Sequence, residues 1–477
     1  MSNTTAASAA PTVLRESTAK LGLAKGHRRY YAAGGWLKRA GFLPGLFVSV
    51  SVQAGTLELR PSTVETSNRV SSKADGAIPV VDLNSSLLAR VFGEHTDKVY
   101  VRVEAGRIVL SRSPVAAQVA SRPRDGTMGA AFAGGGILDS AAVRAGFTPK
   151  FAIELDEKYA AIYEANHPTA TMYNMSVHEV VLGVPDLPRC ELFCCGIPCE
   201  PFSNARSSTK GTGGAKRDRS LPATAHPLGD MTLWTLALVA RIQPRTIVIE
   251  EAAAYAASET GVALAKALER MGYVVSIREL SPHEFGWVAR RKRTVMVAQT
   301  PEADGTVPSP WPKPRATQQR VADILDADVP ESTYWDRTTK AWVFEHADAQ
   351  TAAGNGFVPM VVRPEQTVLP TITKRYFAQR GSSPMVAHPT RLDTYRWLTL
   401  TEAMRAHDLP ISYDLGTSKT TAGEAIGQSV HAGLFAEIVA RATGRVASDV
   451  RRKVAGTIEA SHPAVVCDEL PLFAGVA

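Results

Sequence analysis

Apolar and polar residues alternate twice near the start of the chain, from Gly45 to Leu59 and from Lys98 to Leu110. Each run is rich in β-branched residues and turns on an Ala-Gly pair, a hairpin signal. A short helical stretch precedes each, Trp36-Leu-Lys-Arg-Ala-Gly-Phe42 and Leu87-Leu-Ala-Arg-Val-Phe-Gly93. The region therefore reads as an internal repeat. From Met128 the rhythm changes. Met128 to Phe147 predicts a strand, a Gly-rich turn and an amphipathic helix. Phe151 to Glu157 predicts an apolar strand ending in acids. Glu191-Leu-Phe-Cys-Cys195 and Thr246-Ile-Val-Ile-Glu250 are short apolar runs that stop at Gly, Pro or acids, as buried strands do. A helix opens near Ile426 and runs to about Ala442. Strands alternating with helices predict an α/β fold.

The same pattern divides the chain. Residues 1–20 are Ser-, Thr- and Ala-rich and are expected to be disordered. Residues 21–120 form a small, mainly-β module of two hairpin units. Residues 126–299 form the first part of the α/β domain. Residues 300–390 lose its rhythm, residues 391–445 return to it, and residues 446–477 are a flexible tail. Polar stretches at Ser71–Gly76 and Ser121–Gly126 are read as linkers.

Composition narrows the class. A chain of 477 residues has ample apolar content for large cores. Five cysteines in such a length argue against a disulfide framework and for a reducing cytoplasm. No apolar run is long enough to span a bilayer, so no membrane role is expected. The net charge of +7 is compatible with a nucleic-acid partner. Lys25, His27, Arg28 and Arg29 form a basic cluster that either meets phosphates or is a solvated face.

Candidate chemistry centres on Gly196-Ile-Pro-Cys-Glu-Pro-Phe-Ser203. It follows a buried strand, and ligands bind at the carboxyl ends of strands in open α/β sheets. Cys199, with Pro198 fixing the backbone before it, is either a nucleophile or a core cysteine; this stretch alone leaves the two even. A metal site built from Cys190, Cys194, Cys195 and Cys199 is disfavoured, because adjacent Cys194 and Cys195 point to opposite faces of a strand. Glu154 lies about 20 residues past the glycine turn, the offset of a ribose-binding carboxylate. Glu250 ends its strand in the crevice expected to hold Cys199 and can act there as an acid or hydrogen-bond donor.

Together these segments resemble the cytosine-5 DNA methyltransferases from about Met128 to Arg441. The turn Phe132-Ala-Gly-Gly-Gly136 is similar to that family's first motif. Glu154 with Tyr159, Tyr163, Asn166 and Pro168 is similar to its second. Gly196 to Ser203 resembles its Pro-Cys nucleophile motif, the most specific match. Pro244 to Glu250 resembles the strand of its catalytic glutamate. Phe285 to Arg293 resembles its Gln-x-Arg-x-Arg segment. Arg396 to Glu402, with Arg405 and Pro410, and Ile426 to Val430 resemble its last two motifs. The chain departs from the pattern at Ile137, Glu251, Ala289 and Gln428, and only Asn174 answers to the acid expected after the second motif.

The resemblance implies a Rossmann-like S-adenosylmethionine-dependent methyltransferase domain with a small target recognition domain at 300–390. It implies S-adenosylmethionine as cofactor, held by Phe132, Gly134, Gly136, Glu154, Asn174, Pro198 and Ser429. It implies Cys199, Glu250, Arg291 and Arg293 as the catalytic set acting on a flipped cytosine in double-stranded DNA. The protein would then be a bacterial or phage DNA methyltransferase, cytoplasmic and nucleoid-associated, solitary or beside a cognate restriction endonuclease. Two alternatives stand. One is an RNA cytosine-5 methyltransferase. The other is a DNA-binding regulator with a decayed methyltransferase domain, suggested by Glu251, Ala289 and Gln428.

Three expectations lie outside this core. The first hairpin unit resembles the swapped-hairpin barrels of the AbrB and SymE-like type, implying either nucleic-acid association or a packing and dimerisation role. The basic, Gly-rich loop Asn204 to Leu228 is expected to be mobile and to close over DNA. The tail segment Asp468-Glu-Leu-Pro-Leu-Phe473 resembles peptides that bind bacterial sliding clamps.

Overall fold

The computed structural model describes residues 13–53, 55–93, 96, 98–112, 124–198, 228–302, 306–352, 354, 359–379 and 383–445. Those up to Arg112 form two sheets around one apolar core. The elements run β1 (Val13–Lys20), β2 (Gly22–Ala24), β3 (His27–Ala33), α1 (Trp36–Arg39), β4 (Phe47–Gln53), β5 (Thr56–Ser62), β6 (Ser71–Lys73), β7 (Ile78–Asn84), α2 (Ser86–Phe92), β8 (Lys98–Glu104) and β9 (Arg107–Ser111). One sheet has the order β1-β8-β9-β5-β4 and the other β2-β3-β7-β6. Both expected hairpins are present, β4 with β5 and β8 with β9. Each repeat also contains a strand before its helix, β3 or β7, and these two pair antiparallel. Leu37, Leu57, Leu88, Val103 and Ile108 are buried at the centre.

Two expectations for this region fail. Residues 1–20 are not all disordered: Val13–Lys20 is β1, paired along its length with β8. Its Ser, Thr and Ala content hid a strand that exists because β8 offers it an edge, with Leu14 and Ala19 packed on the core. The supposed linker Ser71–Gly76 instead supplies β6 and a turn, and β6 pairs with β7. Of the basic cluster, Arg28 is buried and Arg29 is held by Asp82 at 2.6 Å.

The second region is built on a seven-stranded sheet. It contains β10 (Thr127–Ala131), α3 (Ile137–Arg144), β11 (Thr148–Ile153), α4 (Glu157–Asn166), β12 (Thr171–Tyr173), α5 (Val177–Gly183), β13 (Leu192–Gly196), α6 (Met231–Ile242), β14 (Thr246–Ala252), α7 (Glu259–Arg270), β15 (Val274–Leu280), β16 (Ala289–Arg290) and β17 (Arg293–Gln299). The sheet order is β12-β11-β10-β13-β14-β17-β15. β10 to β14 are parallel, while β17 runs antiparallel to both neighbours. The reversal at β10, flanked by β11 and β13, is a topological switch point, where such sheets bind ligands. β13 is apolar on both faces because both are covered. Cys194 packs in the core on one side of the sheet and Cys195 in the core on the other.

The insert holds β18 (Trp335–Asp336), α8 (Ala341–Ala352), β19 (Val361–Val362), β20 (Leu369–Pro370), β21 (Met385–Ala387) and β22 (Thr394–Trp397). A small sheet runs β18-β22-β21-β19. Because β22 belongs to it, the boundary expected at 390 moves to about Leu398. The chain then returns through α9 (Leu400–Ala406), α10 (Lys419–Gln428) and α11 (Ala432–Ala442). One continuous core joins α3, α11, the insert and one face of the large sheet. No helix among the described residues is long and apolar enough to cross a membrane.

Candidate functional site

The glycine turn after β10 is strained in a useful way. Phe132 takes φ 52°, Gly134 φ 55° and Gly136 φ 79°, all left-handed. A bulky residue such as Phe132 adopts that conformation at a cost of about 1–2 kcal/mol, which the surrounding packing must hold. A β-carbon on Gly134 would meet nothing within 4 Å, so the turn is open at that point. On Gly136 it would lie 2.8 Å from the rings of Tyr163 and His167.

Glu154 closes the turn from the next strand. Its carboxylate accepts from the Gly134 N–H at 2.7 Å and the Asp156 N–H at 2.9 Å. Burial raises its pKa while those two donors oppose the rise. Asn174 sits at the surface and donates to the carbonyls of Glu154 and Leu155, at 2.8 and 3.2 Å. It buttresses the Glu154 loop instead of presenting a carboxylate. Leu155 beside them is 68 % exposed, a large apolar side chain standing open at the cleft edge. Ser429, at the end of α10, donates to the Ile426 carbonyl at 2.8 Å. An open glycine turn, a carboxylate beyond it and an exposed apolar residue suit a nucleoside: the residues present fit an S-adenosyl group.

Behind the turn lies a polar network of which motif reading found only Tyr163. Tyr413 donates to the Gly135 carbonyl at 2.6 Å. His167 Nε2 stands 3.1 Å from the Gly136 carbonyl, a contact it makes as donor. Tyr163 donates to Asp139 at 3.0 Å, and burial pushes the Asp139 carboxyl up to about 7. Tyr413 is 278 residues from Gly135, so no local signal could have found it.

The crevice beside the turn carries the acid. Glu250 on β14 is the register partner of Gly196 at the end of β13. Its Oε1 lies 2.7 Å from Arg293 Nε at the start of β17. Both side chains are largely withdrawn from solvent, which strengthens their attraction. Arg291, 5 % exposed, lines one cavity together with Arg293, and its Nη1 donates to the Ile372 carbonyl of the insert at 3.4 Å. Glu251 faces the opposite side of β14 from Glu250, almost fully buried, and its carboxylate accepts from the Ala252 N–H. This departure from the family pattern therefore sits away from the crevice. Ala289 is buried in β16 beside Leu369, and Gln428 is the last residue of α10.

His407 and His431 pack near the arginine pair, and burial, reinforced by those cations at His407, lowers both to about 3. Both are neutral at physiological pH. Pro198 is the last described residue of the Pro-Cys segment before Cys199. Cys199, the loop from Asn204 and the clamp-like tail lie outside the described residues. The described cysteines, Cys190, Cys194 and Cys195, are all buried, and burial raises their thiols, Cys195 to about 12. None of the three is a usable nucleophile.

Sheet order, switch-point turn and strand-end acid define a Rossmann-like methyltransferase domain. Residues 127–443 match the family model for C-5 cytosine-specific DNA methylases, and the chain belongs to that family. It is 27% identical over 291 residues to the Type II methyltransferase M.NlaX of Neisseria lactamica, covering 59% of this chain and 83% of the relative. It is 25% identical over 288 residues to the Type II methyltransferase M.DsaV of Dactylococcopsis salina, covering 59% and 75%. The fold is also that of the Dnmt2 methyltransferase of S. pombe, with a TM-score of 0.50 at 16% identity over 66% of this chain and 96% of that one.

Proposed function

We propose that this enzyme transfers a methyl group from S-adenosylmethionine to carbon 5 of a cytosine flipped out of double-stranded DNA, through a covalent adduct with Cys199. The observation that carries the reading is Glu250 paired with Arg293 at the strand ends, in register with the residue that leads into Pro198 and Cys199. The cofactor would supply the electrophilic methyl group, with Phe132, Gly134, Gly136, Glu154, Asn174, Pro198 and Ser429 around it.

The residues divide the remaining work. Carbon 5 of cytosine is a poor nucleophile until the 5,6 double bond is polarised. The Cys199 thiolate adds to carbon 6, and electron density shifts to carbon 5. Glu250 would bind ring nitrogen 3 and offset the charge that builds there. Arg293 holds the Glu250 side chain and would bind the base's carbonyl oxygen. Once carbon 5 carries the methyl, it loses its proton and the thiolate leaves. Arg291 fixes the insert, residues 300–398, which reads the target sequence, against the catalytic sheet. A base must leave the helix to enter so enclosed a site.

The test is covalent trapping. DNA carrying 5-fluorocytosine is mixed with the protein and S-adenosylmethionine, then run on a denaturing gel. Fluorine does not leave as a proton does, so the adduct persists. A shifted band absent in Cys199→Ala is expected. A band with RNA alone would move the substrate to RNA. No band on diverse DNA that still binds would favour the decayed regulator.

A further inference from the structure

We propose that the N-terminal module is a second DNA-binding surface, gripping phosphates of the duplex outside the target base. The inference rests on the DNA reading above. Residues 13–112 contain 15 Lys and Arg against 8 Asp and Glu. Residues 113–477 contain 38 of each, and residues 1–12 contain none. The whole net charge of +7 therefore lies in the module. A catalytic region without net charge gains little long-range attraction for a polyanion, and affinity for duplex DNA rests largely on cations that displace its counterions.

The charge is also distributed unevenly within the module. Three of its eight acids are neutralised on one face. Glu16, Glu58 and Glu104 thread between Arg60, Arg102 and Arg107 on the outer side of the β1-β8-β9-β5-β4 sheet. Asp82 holds Arg29. Lys20, Lys25, Lys38, Arg39, Arg90 and Lys98 are exposed and have no carboxylate partner among the described residues. Lys20 and Lys98 stand directly opposite each other across β1 and β8. Like charges in that position repel, and a bound phosphate between them turns repulsion into attraction. Lys38 and Arg39 share the last turn of α1, and Arg15 stacks on the Trp36 ring of the same helix at 5.3 Å. Three cations thus converge on one short helix.

The module's placement makes the surface usable. The β4–β5 turn presses on Pro301, where β17 leads into the insert. A β-carbon on Gly55 would lie 2.5 Å from the Pro301 ring. The module therefore sits against the chain where it enters the insert.

The experiment uses the full chain with Lys20→Gln, Lys25→Gln, Lys38→Gln, Arg39→Gln and Lys98→Gln combined. Binding to a labelled duplex is followed by fluorescence anisotropy across a salt series. Each phosphate contact contributes about 0.9 to the slope of log affinity against log salt. The slope is expected to fall by about 2 to 4, with affinity at low salt down at least about tenfold. The turnover number at saturating DNA should not change. If the five-fold variant unfolds, Lys38→Gln/Arg39→Gln alone should lower the slope by about 1 to 2. An unchanged slope in a folded variant overturns the proposal, as does a change seen with RNA but not with duplex DNA. A wild-type chain that binds DNA with this module-dependent slope but traps no 5-fluorocytosine sinks the catalytic reading and leaves the surface standing.

Discussion

Replacing Arg396 by Met should unfold the junction between the insert and the catalytic sheet. Arg396, on β22, meets Glu402, on α9, through two hydrogen bonds of 2.7 and 2.8 Å. Their side chains are 3 % and 0 % exposed. Glu402 also accepts from the Asp326 N–H at 2.8 Å and the Thr399 N–H at 2.9 Å, completing the capping box of α9. Without Arg396 a buried carboxylate keeps two neutral donors and loses its only countercharge among the described residues. Breaking one side of a buried pair costs about 3–5 kcal/mol. At about 2–4 °C per kcal/mol for a unit of this size, the melting temperature should fall by about 6–20 °C. Differential scanning calorimetry measures it. The Arg396→Met/Glu402→Met double variant should be less destabilised than the sum of its parts, with a coupling of at least about 1.5 kcal/mol. It will not recover fully, because the two backbone donors lose their acceptor. A loss under about 1 kcal/mol in Arg396→Met, or simple additivity in the cycle, would refute the reasoning.

Gly136→Ala should remove S-adenosylhomocysteine binding measured by calorimetry, since φ 79° and two rings at 2.8 Å leave no room for a methyl group. Tyr413→Phe deletes one buried hydrogen bond to the turn and should weaken that binding by about fivefold, roughly 1 kcal/mol, with little change in turnover. Asp139 is protonated in the folded state to about pH 7 but ionises at its ordinary low pKa when unfolded. Its contribution to stability is therefore lost as pH rises through this window, by up to about 1.4 kcal/mol per pH unit, and urea titrations of Asp139→Asn should show a flatter profile there. Arg293→Gln removes the partner of Glu250 and should lower the turnover number at least about tenfold at saturating cofactor.

The catalytic sheet was legible because its strands are buried on both faces and announce themselves as apolar runs. β13 and β14 appear where Glu191–Cys195 and Thr246–Glu250 predict them. Alternation also predicted the two module hairpins. What stayed hidden depends on partners distant in sequence. β1 looks like a disordered tail until β8 pairs with it. The insert's strands of two residues are too short to carry any period. At the site, the glycine turn, Glu154 and Glu250 were readable from local pattern. The hold of Tyr413 and His167 on the turn's carbonyls was not. Nor was the contact of Arg291 with the Ile372 carbonyl, since alternate residues on an extended chain look equivalent until the insert folds against one of them.

The doubled architecture of the N-terminal module has a consequence of its own. The two hairpins meet where β5 pairs with β9, and the two helix-preceding strands meet where β3 pairs with β7. Both seams join one repeat to the other, as an interface between two identical subunits would. Here a single polypeptide supplies both halves, so their association does not depend on protein concentration. The covalent tether also releases the halves from having to stay identical. One copy can change its loops without imposing the same change on the other: Pro301 meets the β4–β5 turn at Gly55, while a β-carbon on Gly106 in the β8–β9 turn would meet nothing within 4 Å. A symmetric pair would offer both turns to every neighbour; the fused pair is free to keep one for the catalytic domain and leave the other facing outward.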